Sequence, residues 1–182
     1  MRVLPNMTVI VPADCNECEQ ALEFASNHVG PVYIRIARNS LPDIYSNDYK
    51  FNPYKAVVLK EGSDVTIISN GDVLAEACRV ADLLSQKGVS AEIISVPVIK
   101  PFDTETIIKS VKKTGFAVTV ENHSINGGLG STVCEVLSEN YPIKVLRIGT
   151  NDTFGQSGTP KELLKYYGLD AESIANRIVE RI

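Results

Sequence analysis

The sequence predicts a three-layer α-β-α protein with a mostly parallel sheet and one antiparallel hairpin strand, preceded by a partial β-α-β unit. Short apolar runs alternate with segments in which apolar residues recur at helical spacing, through almost all of the 182 residues. Turn-forming residues separate these segments. Strands that alternate with amphipathic helices form a parallel sheet covered on both faces.

The first part of the chain, residues 7–37, predicts one β-α-β unit. An apolar run is followed by Asp14, a helix N-cap with Glu17 three residues later, and Gly30-Pro31 ends the helix before a second apolar run. Two strands and one helix bury too little apolar surface to be stable alone. The unit must pack on the rest of the chain, pack on another chain, or belong to a larger domain that begins upstream, and we expect the last.

Residues 39–54 predict a linker because turn formers are concentrated there. We therefore divide the chain into a partial domain at 1–38, the linker at 39–54 and a second domain at 55–182. Aromatic side chains in the linker are expected to hold it against a surface: Tyr45, Tyr49, Phe51 and Tyr54.

The sequence pattern of the second domain predicts five strands with helices between most of them. Glu61-Gly62-Ser63-Asp64 joins the first two strands and indicates a β-hairpin. Asp103, Thr159 and Asp170 are expected N-caps, and the last helix is expected to bury Ile174, Ile178 and Ile182. The predicted strands are Ala56–Leu59, Val65–Ser69, Val89–Val96, Phe116–Val120 and Ile143–Ile148, and helical stripes run through 73–84, 107–111 and 129–137.

Composition excludes several classes of function. The 18 basic and 22 acidic residues are scattered and give a net charge of −4, so neither a nucleic-acid-binding nor a polybasic membrane surface is expected. No apolar run approaches the roughly 18–20 residues that span a bilayer, and the first residues do not resemble a signal peptide. We expect a cytoplasmic protein.

The four cysteines allow a redox or metal interpretation that the surrounding residues disfavour. Cys15 and Cys18 have the spacing of a redox pair or of half a zinc site, but Cys78 and Cys134 do not form a second pair. Neighbouring acids would raise the thiol pKa, the opposite of activation. With only two histidines in the chain, we interpret the cysteines as mostly buried structural residues and expect no metal site.

A glycine-rich segment follows the predicted strand that ends near Glu121 and opens a helix. Its backbone N–H groups could hold an anion, so the candidate loop residues are Asn126, Gly127, Gly128 and Gly130. Alternatively the glycines let helix and strand approach closely, which we favour. Glu121 and His123 could form an acid–base pair, but a hydrogen-bonded pair without catalytic role is more common. No catalytic residue is assigned.

Arg38 is the second candidate, because it follows a strand of an α/β unit and strand carboxyl ends are where such sheets bind ligands. Its planar fork of donors suits a phosphate. A solvated arginine is the alternative from these residues alone. Residues 152–160 predict only a tightly turned loop.

Taken together, these segments resemble the C-terminal part of transketolase, and the resemblance covers almost the whole chain. Phe154-Gly155-Gln156-Ser157-Gly158 favours transketolase over deoxyxylulose-phosphate synthase and the pyruvate dehydrogenase beta subunit. The other segments that carry the resemblance are Pro5–Val9, Pro12-Ala13-Asp14, Gly30–Arg35, Lys60–Thr66, Lys100–Asp103, Val120–His123 and Gly127–Ser131. Met1 fits either a native start or an internal methionine.

The resemblance implies ketol transfer between sugar phosphates in the pentose phosphate pathway, with thiamine diphosphate and magnesium or calcium in the complete enzyme. The family's activating glutamate and metal motif lie upstream of the matching segments. We therefore expect this chain to be inactive and to bind no cofactor alone. Arg38 resembles the family's substrate-phosphate arginine.

The implied partners are a second copy of the chain and an N-terminal transketolase portion or subunit. The alternative is a non-catalytic association or regulatory module that binds an anionic ligand or partner at the Gly127–Gly130 loop.

Overall fold

The computed structural model describes residues 1–182, which form eight strands and six helices in two sheets. No helix is both long and apolar enough to cross a membrane. The elements are β1 (Thr8–Ile10), α1 (Cys15–Asn27), β2 (Val32–Ile34), β3 (Val57–Lys60), β4 (Val65–Ser69), α2 (Leu74–Ser85), β5 (Ala91–Ser95), β6 (Val98–Lys100), α3 (Thr104–Thr114), β7 (Ala117–Ser124), α4 (Leu129–Asn140), β8 (Val145–Thr150), α5 (Pro160–Tyr166) and α6 (Ala171–Val179).

The main sheet has the strand order β3-β5-β4-β7-β8, and every neighbouring pair is parallel except β3 with β5. Successive side chains of a strand point to opposite faces, so each strand contributes to two apolar layers. Ile67 packs in the cluster that contains residues of α2 and α6, whereas Ile68 packs in the cluster that contains residues of α3 and α4. The predicted three-layer architecture is confirmed.

The predicted hairpin between β3 and β4 is wrong, because β5 lies between these strands and is the antiparallel partner of β3. The connecting residues cross the end of β5 instead of turning back. Ser63 N and Asp64 N both donate to Ser90 O, at 3.2 and 2.9 Å. A Cβ on Gly62 would lie 2.2 Å from the carbonyl carbon of Ala91. The turn-forming residues 61–64 therefore let the chain cross close to the end of β5.

The β-α-β unit continues into a small sheet with the order β2-β1-β6. β1 pairs parallel with β2 and antiparallel with β6, a strand that the sequence did not predict. The unit thus packs on the rest of the chain through β6. β2 is an edge strand, and beside it Val29 is 99% exposed.

The segment 39–54 contacts the β-α-β unit and the main sheet, as its aromatic residues predicted. Tyr45 and Tyr49 stack with ring centroids 3.9 Å apart. The buried Tyr45 hydroxyl donates to Ser95 Oγ at 2.7 Å. Tyr54 does not take part, since it is 62% exposed. The domain limits themselves remain a prediction.

The predicted helix starts are confirmed, whereas the expected burial of Ile182 is wrong. The side chains of Asp14, Asp103 and Asp170 each accept from a first-turn N–H, and Thr159 forms a capping box with Glu162. Ile182 is exposed because α6 ends at Val179, before the last isoleucine reaches the core.

All four cysteines are free thiols, but they are less buried than expected. Cys15 is exposed, and the other three are half-buried: Cys18, Cys78 and Cys134. Burial raises the pKa of the Cys18 thiol, and Cys15, Glu17 and Asp14 raise it further. This direction agrees with the interpretation of an unreactive thiol.

Candidate functional site

The start of α4 is closed by the side chain of Glu121, which lies in β7. One carboxylate oxygen accepts from Leu129 N and the other from Gly130 N, both at 2.8 Å. A Cβ on Gly128 would lie 1.9 Å from Glu121 Oε2. Gly128 and Gly130 are therefore required for close approach, which was the favoured interpretation of this segment, whereas a Cβ on Gly127 would meet nothing within 4 Å.

This arrangement bears on the predicted anion-binding loop. The helix N-terminus already holds a carboxylate from the chain itself, which satisfies N–H groups that an external anion would need. Other N–H groups of the loop are also bound: Asn126 N donates to Ser124 Oγ and Gly127 N to Ser131 Oγ. Anion binding by Asn126, Gly127, Gly128 and Gly130 remains a prediction that this geometry weighs against.

Glu121 and His123 lie close together without a direct hydrogen bond. His123 Nδ1 is 3.7 Å from Glu121 Oε2 and 2.7 Å from Ser124 O. A carbonyl oxygen can only accept, so Nδ1 carries a proton in this arrangement. Burial raises the pKa of Glu121, while the N–H groups of Gly130 and Leu129 oppose that shift. The geometry favours a capping carboxylate over an acid–base pair.

A cavity of about 150 Å3 lies where the small sheet meets the carboxyl ends of β4 and β7. We call it the intersheet cavity. Sequence reasoning missed it because its walls come from both sheets. The available signal was a pair of asparagines at the ends of neighbouring parallel strands, Asn70 and Asn122. The lining residues are Met1, Arg2, Val9, Val11, Tyr33, Arg35, Asn70, Ile99, Glu121, Asn122, His123, Gly127 and Gly128.

Polar groups at the end of β4 are only partly paired. Asn122 Nδ2 donates to Asp72 Oδ2 at 2.7 Å. Asp72 Oδ1 and Asn70 Nδ2 are buried and have no hydrogen-bond partner. Buried polar atoms are nearly always paired, so these two atoms are exceptions in the interior next to the cavity.

Arg38 lies apart from this cavity. It is exposed and follows β2 by four positions, and it does not line the intersheet cavity. The structure therefore does not bring Arg38 together with the Gly127–Gly130 loop. Its role in binding substrate phosphate remains a prediction.

The loop 152–160 lines a second, open depression of about 630 Å3 together with Tyr166 and Tyr167. The Tyr167 hydroxyl accepts from Gln156 N at 2.9 Å and donates to Phe154 O at 3.3 Å. The Phe154 side chain is 96% exposed. The loop is thus held by its backbone while its aromatic side chain points outwards.

The residues of this chain do not fit the metal–diphosphate part of thiamine diphosphate. No three or more histidine, cysteine, aspartate or glutamate side chains are grouped so that they could hold a metal ion. The helix N-terminus nearest to the intersheet cavity is occupied by Glu121. We therefore derive no reaction step in which these residues act on thiamine diphosphate.

Comparison with known proteins places the chain in a family. The transketolase C-terminal domain model matches residues 54–174. A candidate transketolase C-terminal section of Methanocaldococcus jannaschii is 47% identical over the whole of this chain and 58% of its own length. The 6-deoxy-6-sulfo-D-fructose transketolase subunit of a Clostridium species is 42% identical over the whole of this chain and 57% of its own length.

A solved structure extends the similarity to the fold. This structure is a split-gene transketolase in the form of an inactive tetramer of beta chains, and it superposes on this chain with a TM-score of 0.95 at 46% identity. The superposition covers 99% of this chain and 59% of the split-gene chain. This chain spans just under three fifths of the length of each of these relatives. It belongs to the transketolase family and contains the C-terminal domain of that family.

Proposed function

We propose that this chain forms the C-terminal part of a transketolase-like enzyme, which transfers a two-carbon ketol unit between sugar phosphates. The observation that carries the proposal is the match to the split-gene transketolase over 99% of the chain. That match includes residues 1–53, which lie outside the family model. A similarity limited to the C-terminal domain would not explain the conserved shape of the β-α-β unit.

The open edge of the small sheet supports an incomplete pyrimidine-binding domain at residues 1–38. β2 pairs only with β1, so its other side presents unpaired backbone groups. An unpaired strand edge is a template for further strands. Val29 and Ile36 are exposed beside it. We infer that the remaining strands of that domain come from an N-terminal transketolase portion or subunit, with residues 39–54 as linker.

Arg38 is the residue that we assign to the substrate. It lies exposed just beyond the carboxyl end of β2. A guanidinium group binds a phosphate through two parallel hydrogen bonds. Thiamine diphosphate with magnesium or calcium is assigned to residues outside this chain, and the chain alone is proposed to be inactive.

The proposal includes a homodimer, a cytoplasmic location and a place in the pentose phosphate pathway. Exposed apolar side chains such as Phe154 and Val29 support association, since they become buried only against another surface. The alternative of a non-catalytic module that binds an anion at the Gly127–Gly130 loop has less support, because Glu121 already occupies the N–H groups there.

Reconstitution tests the function. The purified chain is mixed with an N-terminal portion of a split transketolase that contains the remaining strands, and ketol transfer from a ketose phosphate to an aldose phosphate is measured with thiamine diphosphate and magnesium. We expect activity and a stable complex only when both parts are present. Ketol transfer by this chain alone, or no association between the parts, would contradict the proposal.

A further inference from the structure

Arg38 lies in a loop that the rest of the chain holds only at its two ends. The loop consists of residues 36–43, and we call it the Arg38 loop. None of its residues is buried, and none lies in a helix or strand. No hydrogen bond joins these residues to the rest of the chain. The position of Arg38 therefore depends on the contacts that fix the two ends of the loop.

Both ends of the Arg38 loop are tied to the same turn, the one that joins β1 to α1. Before the loop, Arg35 N donates to Ile10 O at 2.9 Å. After the loop, Asp14 Oδ2 accepts from two successive backbone N–H groups, those of Ile44 and Tyr45, each at 2.9 Å. Compact surface loops of this length whose ends lie close together are Ω-loops, which frequently carry functional residues. Asp14 closes this loop.

The two carboxylate oxygens of Asp14 have separate partners. Oδ1 accepts from Glu17 N at 2.8 Å and so caps α1, whereas Oδ2 holds the residues that follow the Arg38 loop. A helix N-cap needs only one acceptor, and serine or asparagine supplies it about as well as aspartate does. The buried second oxygen of Asp14 is therefore not required by the helix, and its contacts serve the loop.

We propose that Asp14 is a positioning residue for substrate binding, because it fixes one end of the Arg38 loop and so orients the Arg38 guanidinium towards the substrate phosphate. The inference rests on the proposed function, in which Arg38 binds that phosphate. Two parallel hydrogen bonds from a guanidinium group to a phosphate require a defined orientation. Without the second oxygen of Asp14, one end of the loop is free to shift, and ordering it costs part of the binding free energy.

Asp14→Ser separates the two roles, because the single hydroxyl oxygen of serine caps α1 and leaves no second acceptor for the residues after the loop. Asp103→Ser is the matched control. Asp103 caps α3 through Thr106 N, and its Oδ2 accepts from Ala56 N at 2.9 Å, so this variant loses the same kind of contact without touching the Arg38 loop. If Asp14→Ser does not fold, Asp14→Asn makes the same test, since its amide nitrogen cannot accept.

Kinetics of the enzyme reconstituted with its N-terminal portion test the proposal. We expect Asp14→Ser to raise the KM for phosphorylated substrates about threefold or more, with little change in kcat or in the KM for substrates without the phosphate. Asp103→Ser should leave these KM values unchanged. In a chain that already carries Arg38→Met, Asp14→Ser should add little to the KM, because the guanidinium that it positions is absent.

NMR of the 15N-labelled chain alone measures the loop directly. We expect Asp14→Ser to lower the order parameter of the Arg38 backbone N–H and to speed hydrogen exchange at Ile44 and Tyr45. Asp103→Ser should change neither measurement. An Arg38 order parameter that stays the same in Asp14→Ser would overturn the inference.

The kinetic results distinguish this inference from the proposed function. A KM that rises in Arg38→Met but not in Asp14→Ser would overturn the role of Asp14 and leave that of Arg38 in place. An unchanged KM in Arg38→Met would overturn both. Equal increases in Asp14→Ser and Asp103→Ser would also overturn the inference, since they would show a general effect of lost stability.

Discussion

The hydroxyl of Tyr49 donates a 2.8 Å hydrogen bond to Glu17 Oε1, which joins the segment 39–54 to α1. The other oxygen of Glu17 accepts from Ala13 N, also at 2.8 Å. Glu17 is fully buried although it carries a carboxylate. This carboxyl group therefore connects the β-α-β unit to the linker, and its burial disfavours the charged form.

We expect Glu17 to make the stability of the protein depend on pH. Burial is the main cause that raises the pKa of Glu17 from 4.5 to about 7. Between these values the folded chain holds a proton that the unfolded chain has released, so the contribution of Glu17 is complete below about pH 4.5 and is lost as pH rises towards 7. A shift of this size corresponds to about 3 kcal/mol.

Urea unfolding of Glu17→Gln at pH 5 and pH 8 measures that dependence. The variant should lose less stability than the parent chain between the two pH values. Glu23→Gln, on the exposed side of the same helix, should behave as the parent chain does. Equal pH dependence in the parent chain and the Glu17 variant would show that this carboxyl group does not titrate in the range.

Gly128→Ala should destabilise the chain by about 2–4 kcal/mol. The added Cβ would lie 1.9 Å from Glu121 Oε2 and 2.8 Å from His123 Nδ1, so the carboxylate must move away from the N-terminus of α4. Gly155→Ala is the control, because nothing lies within 4 Å of its Cβ position. Thermal or urea unfolding that gives similar stabilities for the two variants would refute the close-approach role of Gly128.

Tyr45→Phe should cost about 1–2 kcal/mol, because it leaves the buried hydroxyl of Ser95 without its donor. A double-mutant cycle with Ser95→Ala isolates the interaction, and the two losses should not add. Tyr54→Phe, at an exposed position, should leave the free energy of unfolding unchanged. Additive losses in the cycle would mean that the hydroxyl pair contributes nothing of its own.

Arg38→Met should raise the KM of the reconstituted enzyme for phosphorylated substrates about tenfold or more, with a smaller change in kcat. Substrates that lack the phosphate should be affected little, since they do not use the guanidinium. Arg79→Met, whose guanidinium pairs with Glu76 on the surface of α2, is the control. An unchanged KM for phosphorylated substrates would remove Arg38 from the substrate site.

Local features of the fold could be predicted from the sequence, because their partners lie a few residues apart. Asp14 caps α1 through Glu17 N, and Thr159 caps α5 through Glu162 N. The layers followed from the period of the apolar residues. The two candidate segments at Arg38 and Gly127–Gly130 were also visible as local patterns.

Pairing between distant segments could not be predicted in the same way. The residues 61–64 fit a hairpin turn and a crossing over Ser90 equally well, and only the partner strand decides between them. β6 is three residues long and follows β5 closely, so no pattern assigns it to the small sheet. The intersheet cavity depends on both pairings, which is why Asn70 and Arg35 were not recognised together.

The position of β1 has a practical consequence for dissecting the protein. β1 is hydrogen-bonded to β2, which precedes residues 39–54, and to β6, which follows them. A protease cut within that segment would leave both fragments hydrogen-bonded through β1 and β6. Limited proteolysis would therefore yield a nicked molecule whose two fragments stay associated, and separating them would require a denaturant.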